Sequence, residues 1–218
     1  MSFQTIIDNA TFINIDKRKT TAMSVSRSGH VKTAERQPSV YKFTVGSAQG
    51  LKYSTNRGIL EDIDTADRTV EANISLANNS GMNYITAYQG DMDGGSLSMV
   101  GSNDKELYVN ASSATATTGN VLFKKGDFIQ PQGNTGTYRY PYQVTSDVNG
   151  IGAGQSNVTV PVHRPVLSQD GVSITSGGVR KGTEVRFHVK AMVCPTYSIV
   201  PYDLIEFSGN FEFVEILT

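Results

Sequence analysis

The chain has 218 residues, a formal net charge of −1, one cysteine and no tryptophan. A chain of this length can bury a hydrophobic core without metals, and its lone cysteine excludes an intramolecular disulfide, as expected of a protein that matures in a reducing cytoplasm. The first residues lack the basic and apolar regions of a secretory signal, and no stretch approaches the ~18 uncharged apolar residues of a membrane span. We therefore expect a soluble protein with no membrane association.

Charge is segregated along the chain. Met1 to Arg57 carries nine Lys and Arg against three Asp and Glu, whereas Pro201 to Thr218 carries four acidic residues and no basic one. A basic N-terminal arm, about residues 1–30, and an acidic C-terminal strand can pair across a subunit boundary or within one subunit, and the sequence leaves both open. Nucleic-acid binding through a basic face is disfavoured, because the only basic cluster is the short "DKRK" run.

The first strong element in chain order is a helix over about residues 54–70, "STNRGILEDIDTADRTV". Ser54 or Thr55 can cap its start, and acidic residues follow near its positive N-terminal end. Apolar residues recur at helical spacing and predict a stripe that packs against a sheet. These residues are Ile59, Ile63, Ala66 and Val70. A polar segment further along, Ala111 to Asn120, predicts a flexible loop.

Most of the remaining sequence alternates between apolar and polar residues, as half-buried strands do. In "YRYPYQV" Tyr138, Tyr140, Tyr142 and Val144 share a face. Two later segments repeat the pattern, with apolar residues at Val158, Val160 and Val162, and at Val185, Phe187 and Val189. Glycine-containing turns separate the segments, and "SGN" near the C-terminus predicts a tight hairpin. The sequence therefore predicts a mainly β fold, an antiparallel sandwich or barrel in one domain over residues 1–218, with a flanking helix and long polar loops.

Residues with catalytic or metal-binding chemistry are scattered. His30, His163 and His188 stand alone, and none has a partner at metal-ligand spacing. Asp91 and Asp93 match the first two ligand positions of an EF-hand, but the rest of that pattern fails. Cys194 ends an apolar strand and is expected to be a buried thiol. We expect no enzyme activity, no cofactor and no metal.

The order of several segments resembles tail and baseplate proteins of bacteriophages. An apolar strand enters a "GD" turn in "NVLFKKGDFIQP", a strand reads "YRYPYQVTSDV", and a further strand, "NVTVPVHRPVLSQDGVSI", runs through prolines. The C-terminal "VPYDLIEFSGNFEFVEIL" is similar to the closing hairpin of such a module, and "INIDKRKTTAMSVSRSGHVKTAERQPSVYKFTV" to its start. The resemblance covers most of the chain and leaves Leu76 to Asn120 outside.

This resemblance implies a non-enzymatic virion protein of the tail-tube, distal-tail or baseplate type. Such subunits assemble in the host cytoplasm into rings around the tail channel. The implied partners are copies of the same chain and other tail or baseplate proteins, while the genome passes through the channel without specific binding. We expect six charged residues to contact neighbouring subunits. The basic ones are Arg18, Arg27 and Arg57, and the acidic ones are Glu206, Glu212 and Glu215.

Two other functions stay open at this point. One is a fibre-associated β module of the virion that binds host glycan through its tyrosines, Tyr138 and Tyr140 among them. The other is a hydrolase that uses some of the scattered carboxylates and histidines. The absence of tryptophan, which is common in carbohydrate-binding platforms, weakens the first.

Overall fold

The computed structural model describes residues 3–18, 21–35, 38–47, 50–65, 71–77, 81–91, 96–111, 120–132, 140–150, 155–167 and 176–217. The fold is mainly β, with 49% strand and 14% helix. Its sheets are antiparallel, and one curls into a half-barrel. The predicted fold class, antiparallel β with a single longer helix, is confirmed.

The described helices are α1, Gln4–Asp8, and α2, Tyr53–Thr65. The described strands, in chain order, are β1 Ile13–Arg18, β2 Thr21–Val25, β3 Val31–Glu35, β4 Val40–Val45, β5 Glu71–Ile74, β6 Leu97–Asn103, β7 Glu106–Ala111, β8 Val121–Phe123, β9 Phe128–Pro131, β10 Tyr142–Gln143, β11 Val148–Asn149, β12 Gln155–Pro161, β13 Gly177–Lys181, β14 Phe187–Val193, β15 Tyr197–Val200, β16 Leu204–Phe207 and β17 Phe211–Glu215. None of the described helices has the length and apolarity to cross a membrane.

The residues group into two compact units. Unit 1 contains Met1–Ala10 and Ala72–His188, and unit 2 contains Thr11–Glu71 and Val189–Leu217. The prediction of a single domain over residues 1–218 stays a prediction. Part of the predicted basic arm of residues 1–30 is regular structure, since it includes α1, β1 and β2. Of the loop predicted over Ala111 to Asn120, Ala111 lies in β7 and Asn120 precedes β8. Residues 112–119 lie outside the described part.

Unit 1 is built on a six-stranded sheet in the order β10-β9-β13-β6-β7-β12. The alternation predicted for "NVTVPV" is confirmed, because Val158, Val160 and Val162 are all buried. Tyr140, Tyr142 and Val144 are buried as well, so the inward face predicted for "YRYPYQV" is correct in its described part. Tyr138 lies outside the described residues.

Unit 2 contains most of a five-stranded antiparallel sheet in the order β1-β4-β17-β14-β5. Its inner face is aromatic. Phe43 of β4 stacks on Tyr41, and Phe213 of β17 stacks on Phe211, with ring centroids 6.1 Å and 6.3 Å apart. All four side chains are buried, and β4 pairs with β17 in the centre of the sheet. The two strands therefore provide the core of this unit.

The helix predicted over residues 54–70 is present as α2, which is described up to Thr65. Leu60 and Ile63 are buried on it, while Ala66 and Val70 lie outside the described residues. The predicted capping by Ser54 or Thr55 is wrong, because both residues already lie inside the first turn. The acceptor for the Ser54 N–H is instead the carboxylate of Asp203, at 2.8 Å.

The hairpin predicted at "SGN" is also wrong. Ser208 to Asn210 join β16 to β17, but β16 pairs with β15 and β17 pairs with β4 and β14. The hairpin of this region is β15–β16, with Pro201, Tyr202 and Asp203 as its loop. The sequence signal failed because a turn between two strands does not establish that those strands pair.

Candidate functional site

The segment from Ile13 to Val45 of unit 2, called the ribbon below, contains two antiparallel strand pairs. Its proximal half is β1 paired with β4, from Ile13↔Val45 to Arg18↔Val40. Its distal half is β2 paired with β3, from Thr21↔Glu35 to Val25↔Val31. Two residues separate β1 from β2, and four separate β3 from β4.

The β2–β3 hairpin, Thr21 to Glu35, turns at residues 26–30. The Ser26 N–H donates to the His30 carbonyl at 2.9 Å, and the Gly29 N–H donates to the Ser26 carbonyl at 2.9 Å. Gly29 has φ of +79°, a conformation that glycine adopts without the steric cost of a Cβ. The loop is thus a closed turn that fixes the register of the hairpin.

The β2–β3 hairpin has an apolar face that is open to solvent. Because directly paired residues share a face, Met23, Val25 and Val31 lie on one side of the hairpin, and their exposed fractions are 70%, 62% and 57%. Ser24 pairs with Lys32 on the opposite side, and both are exposed. In the described residues β2 and β3 form a two-stranded sheet of their own. Isolated hairpins are marginally stable, and exposed apolar patches mark interaction sites.

A second surface of unit 2 combines acidic side chains with exposed apolar ones. Asp203, in the loop of the β15–β16 hairpin, accepts hydrogen bonds from the N–H and the hydroxyl of Ser54. Its backbone carbonyl accepts the Tyr53 N–H at 2.8 Å. These bonds lower the pKa of the Asp203 carboxyl and hold the start of α2 against the hairpin.

The same helix brings carboxylates to this hairpin. The Tyr197 hydroxyl donates to Asp64 Oδ2 at 3.3 Å. Burial raises the pKa of Tyr197, and the negative charges of Asp64 and, more weakly, Glu61 raise it further. Ile199, on the same face of the hairpin as Tyr197, is 56% exposed, and Tyr202 at the tip is 93% exposed. Glu61, Asp64, Ile199 and Tyr202 are called the acidic patch below.

The structure places the three predicted basic contact residues differently. Arg27 is exposed in the turn of the β2–β3 hairpin, and Arg57 is exposed on α2. Arg18 is the last residue of β1, paired with Val40. Arg18 and Arg27 therefore belong to one ribbon, while Arg57 shares its helix with Glu61 and the other acidic residues of the patch.

The three predicted acidic contact residues also differ from one another. Glu206 is exposed on β16. Glu212 forms an ion pair with Lys42 across the β17–β4 pairing. Glu215 is only 3% exposed, and its carboxylate accepts the Tyr41 N–H at 3.2 Å. Within this chain Glu212 and Glu215 are thus engaged in the central sheet, and Glu206 lies at the surface.

No group of three metal-ligating side chains is found in the described part of the chain. Asp91 uses its carboxylate to accept the Val121 N–H at 2.7 Å, and Asp93 lies outside the described residues. His188 lies near Asn73, with Nδ1 3.3 Å from Oδ1. Cys194 is buried, as predicted.

Two buried charged residues were missed by the sequence analysis. Asp127 accepts N–H groups from Gln89 at 3.1 Å and from Lys124 at 2.9 Å, although burial raises its pKa. Arg164 donates to the Pro141 carbonyl at 2.9 Å, and its guanidinium lies 5.3 Å from the ring centroid of Tyr142.

The tyrosines considered for glycan binding are part of this packing. Tyr140 and Tyr142 are buried, and the guanidinium of Arg164 lies 5.9 Å from the ring centroid of Tyr140. The Tyr142 hydroxyl accepts the Leu167 N–H at 2.9 Å. A Tyr140→Ala substitution therefore removes core packing, and no described tyrosine of this segment presents its ring to a ligand.

No protein-family model matches the chain, and no curated protein sequence matches it. The resemblance to phage tail and baseplate proteins therefore rests on the order of the sequence segments given above.

Proposed function

We propose that the protein is a non-enzymatic structural subunit of a phage tail or baseplate, which assembles with copies of itself into a ring around the tail channel. Its place is the virion tail, where other tail or baseplate proteins contact the ring. The observation that carries the proposal is the β2–β3 hairpin. None of the side chains described between Ala22 and Ala34 is buried, and the hairpin presents an apolar face to solvent.

A hairpin of this kind has a physical reason to exist when it is covered by a partner. Ordering a residue costs about 1–2 kcal/mol of backbone entropy, and burial of apolar surface is the main term that offsets it. The segregation of charge along the chain adds to this argument, since opposite charges at different surfaces of one subunit steer one copy onto the next. A closed ring is the product when such heterologous contacts return to the first subunit.

The proposal is tested by the mass and shape of the purified protein, measured by light scattering and negative-stain imaging at low and high salt. Rings or stacks are expected, and they weaken as salt screens the charged contacts. The matched variant replaces residues 19–39 by Asn-Gly, which joins β1 to β4 through a two-residue hairpin. This variant is expected to stay monomeric with the spectrum of a folded β protein. A wild-type chain that is monomeric under every condition overturns the proposal.

A further inference from the structure

We propose that the β2–β3 hairpin of one copy docks on the acidic patch of a second copy, with its apolar face against Ile199 and Tyr202 and with Arg27 beside Glu61 and Asp64. The inference rests on the proposed function, since it names the partner surface of that assembly. It commits to a contact between two different surfaces of the same chain.

The apolar parts of the two surfaces match in kind. Met23, Val25 and Val31 form a continuous face, because Val25 is paired with Val31 and Met23 is two residues along the same strand. Ile199 and Tyr202 are exposed at the tip half of the β15–β16 hairpin. Exposed aromatic and aliphatic side chains of this type supply the central anchors of protein interfaces. The apolar side chains of the two surfaces can therefore pack against each other and exclude water.

The charges beside these apolar groups are opposite. Arg27 is exposed in the turn that ends the hairpin, whereas Lys32 is on the face opposite to Met23. On the patch, Asp64 contacts Tyr197, and both Glu61 and Asp64 are exposed. In the proposed orientation Arg27 lies at the acidic end of the patch, and Lys32 stays in solvent. The two cations are thus expected to differ in effect.

The contact is heterologous, because the hairpin and the patch are different surfaces. An open chain of subunits then has one unused hairpin at one end and one unused patch at the other until a ring closes. A copy with a defective hairpin still offers its patch, and a copy with a defective patch still offers its hairpin. The two defective copies are therefore expected to combine into a dimer and to stop there, which a contact between identical surfaces does not do.

The experiment measures association by sedimentation velocity for Met23→Asp and Ile199→Asp, alone and mixed. Each variant alone is expected to lose assembly, with association at least ~tenfold weaker, and the mixture is expected to form one-to-one dimers. Ser24→Asp adds the same charge on the opposite face of β2 and is expected to assemble like the wild type.

The contribution of the charges is measured with Arg27→Glu, which is expected to weaken assembly, and with Lys32→Glu, which is expected to leave it unchanged. Adding Glu61→Arg to the Arg27→Glu chain is expected to restore assembly. Melting temperatures of all variants verify that the fold is intact.

The outcomes separate this contact from the proposed function. If the wild type assembles but Met23→Asp and Ser24→Asp behave alike, the contact is wrong and the ring proposal stands. If both defective variants are monomeric and their mixture stays monomeric, the pairing of these two surfaces is wrong. A wild type that never self-associates overturns both proposals, and it points to a different protein as the occupant of the hairpin.

Discussion

The ribbon from Ile13 to Val45 contains both a buried strand, β4, and a pair of exposed strands, β2 and β3. In its proximal half β4 carries Tyr41, Phe43 and Val45, which are fully buried. In its distal half Met23, Val25 and Val31 share a face, yet they are exposed to solvent. Both halves therefore carry an apolar face, and only the face of β4 is buried.

This difference separates two reasons for an apolar face on a strand. The face of β4 is explained by folding, because Tyr41, Phe43 and Val45 are buried in the folded chain. The face of the β2–β3 hairpin is open to solvent in the described chain, and under the proposed assembly it is the part of the ribbon that contacts a neighbouring copy. Substitutions in the two halves therefore test two different properties, stability and association.

The largest expected effect is at the buried half. Phe43→Ala removes a fully buried ring that stacks on Tyr41, and it is expected to lower the free energy of unfolding by about 3–5 kcal/mol. Met23→Ala in the exposed half is the control and is expected to change it by less than ~0.5 kcal/mol. Urea denaturation of both variants measures the contrast. Equal losses would contradict the comparison, since the distal hairpin would then be part of the folding core.

The sequence predicted the strands of this fold well, because period-two alternation reports burial directly. The prediction from the sequence failed for two charged residues that continue a series of buried side chains along a strand. Arg164 follows Val158, Val160 and Val162 at the same spacing, and all four are buried. Glu215 likewise follows Phe211 and Phe213. The period-two alternation predicts that both side chains point inward. The usual expectation that charged residues face solvent outweighed this signal.

Other features depended on contacts that a sequence does not contain. The acceptor at the start of α2 is Asp203, which is 149 positions from Ser54. The acidic patch exists because α2 and the β15–β16 hairpin meet, so its members are far apart in the chain. The sequence also does not reveal that the β2–β3 hairpin is exposed, because Met23, Ser24 and Val25 alternate as in a half-buried strand.

The next largest loss of stability is expected at Asp127, whose carboxylate accepts hydrogen bonds inside the fold. Asp127→Ala leaves the N–H groups of Gln89 and Lys124 without their carboxylate acceptor and is expected to cost about 2–3 kcal/mol of unfolding free energy. The matched control is Asp147→Ala, because Asp147 accepts one N–H, from Lys125 at 2.8 Å, in an exposed position. Its expected cost is about 1 kcal/mol or less. A larger loss of unfolding free energy for Asp147→Ala than for Asp127→Ala would contradict the role of Asp127 as the buried acceptor.

The pH dependence of Asp127 has a definite sign. Burial raises the pKa of its carboxyl above the ordinary value of 3.8, so the folded state holds the proton to higher pH than the unfolded state does. Stability from this group is complete below the unfolded pKa and falls as pH rises through the folded pKa. The unfolding free energy of the wild type relative to Asp127→Asn is therefore expected to decrease as pH rises from about 4. An increase over that interval would contradict it.

Asp203, next to Tyr202 of the acidic patch, is predicted to have the opposite pH dependence, with a smaller effect. Hydrogen bonds from the Ser54 hydroxyl and N–H lower the pKa of Asp203. Its contribution to stability is present above the unfolded pKa, about 4, and is lost as pH falls through the folded pKa. Asp203→Asn is the reference, because Asn also tolerates the φ of +64° at this position. The stability difference between wild type and variant, followed by thermal melting, is expected to shrink on acidification, and a constant difference would contradict this.

A small change in stability is expected at the tip of the β15–β16 hairpin, where the effects on folding and on assembly have opposite signs. Tyr202 has φ of +70° and is followed by Asp203, also at positive φ, so the backbone of the loop is strained by a bulky residue. Tyr202→Gly relieves that strain and is expected to stabilise the fold by up to ~1 kcal/mol. The same substitution removes the exposed ring of the patch, so assembly is expected to weaken while the melting temperature rises. Tyr202→Phe keeps the ring and is expected to change neither property. A Tyr202→Gly protein that assembles as well as the wild type would show that the strained tyrosine has no part in the contact.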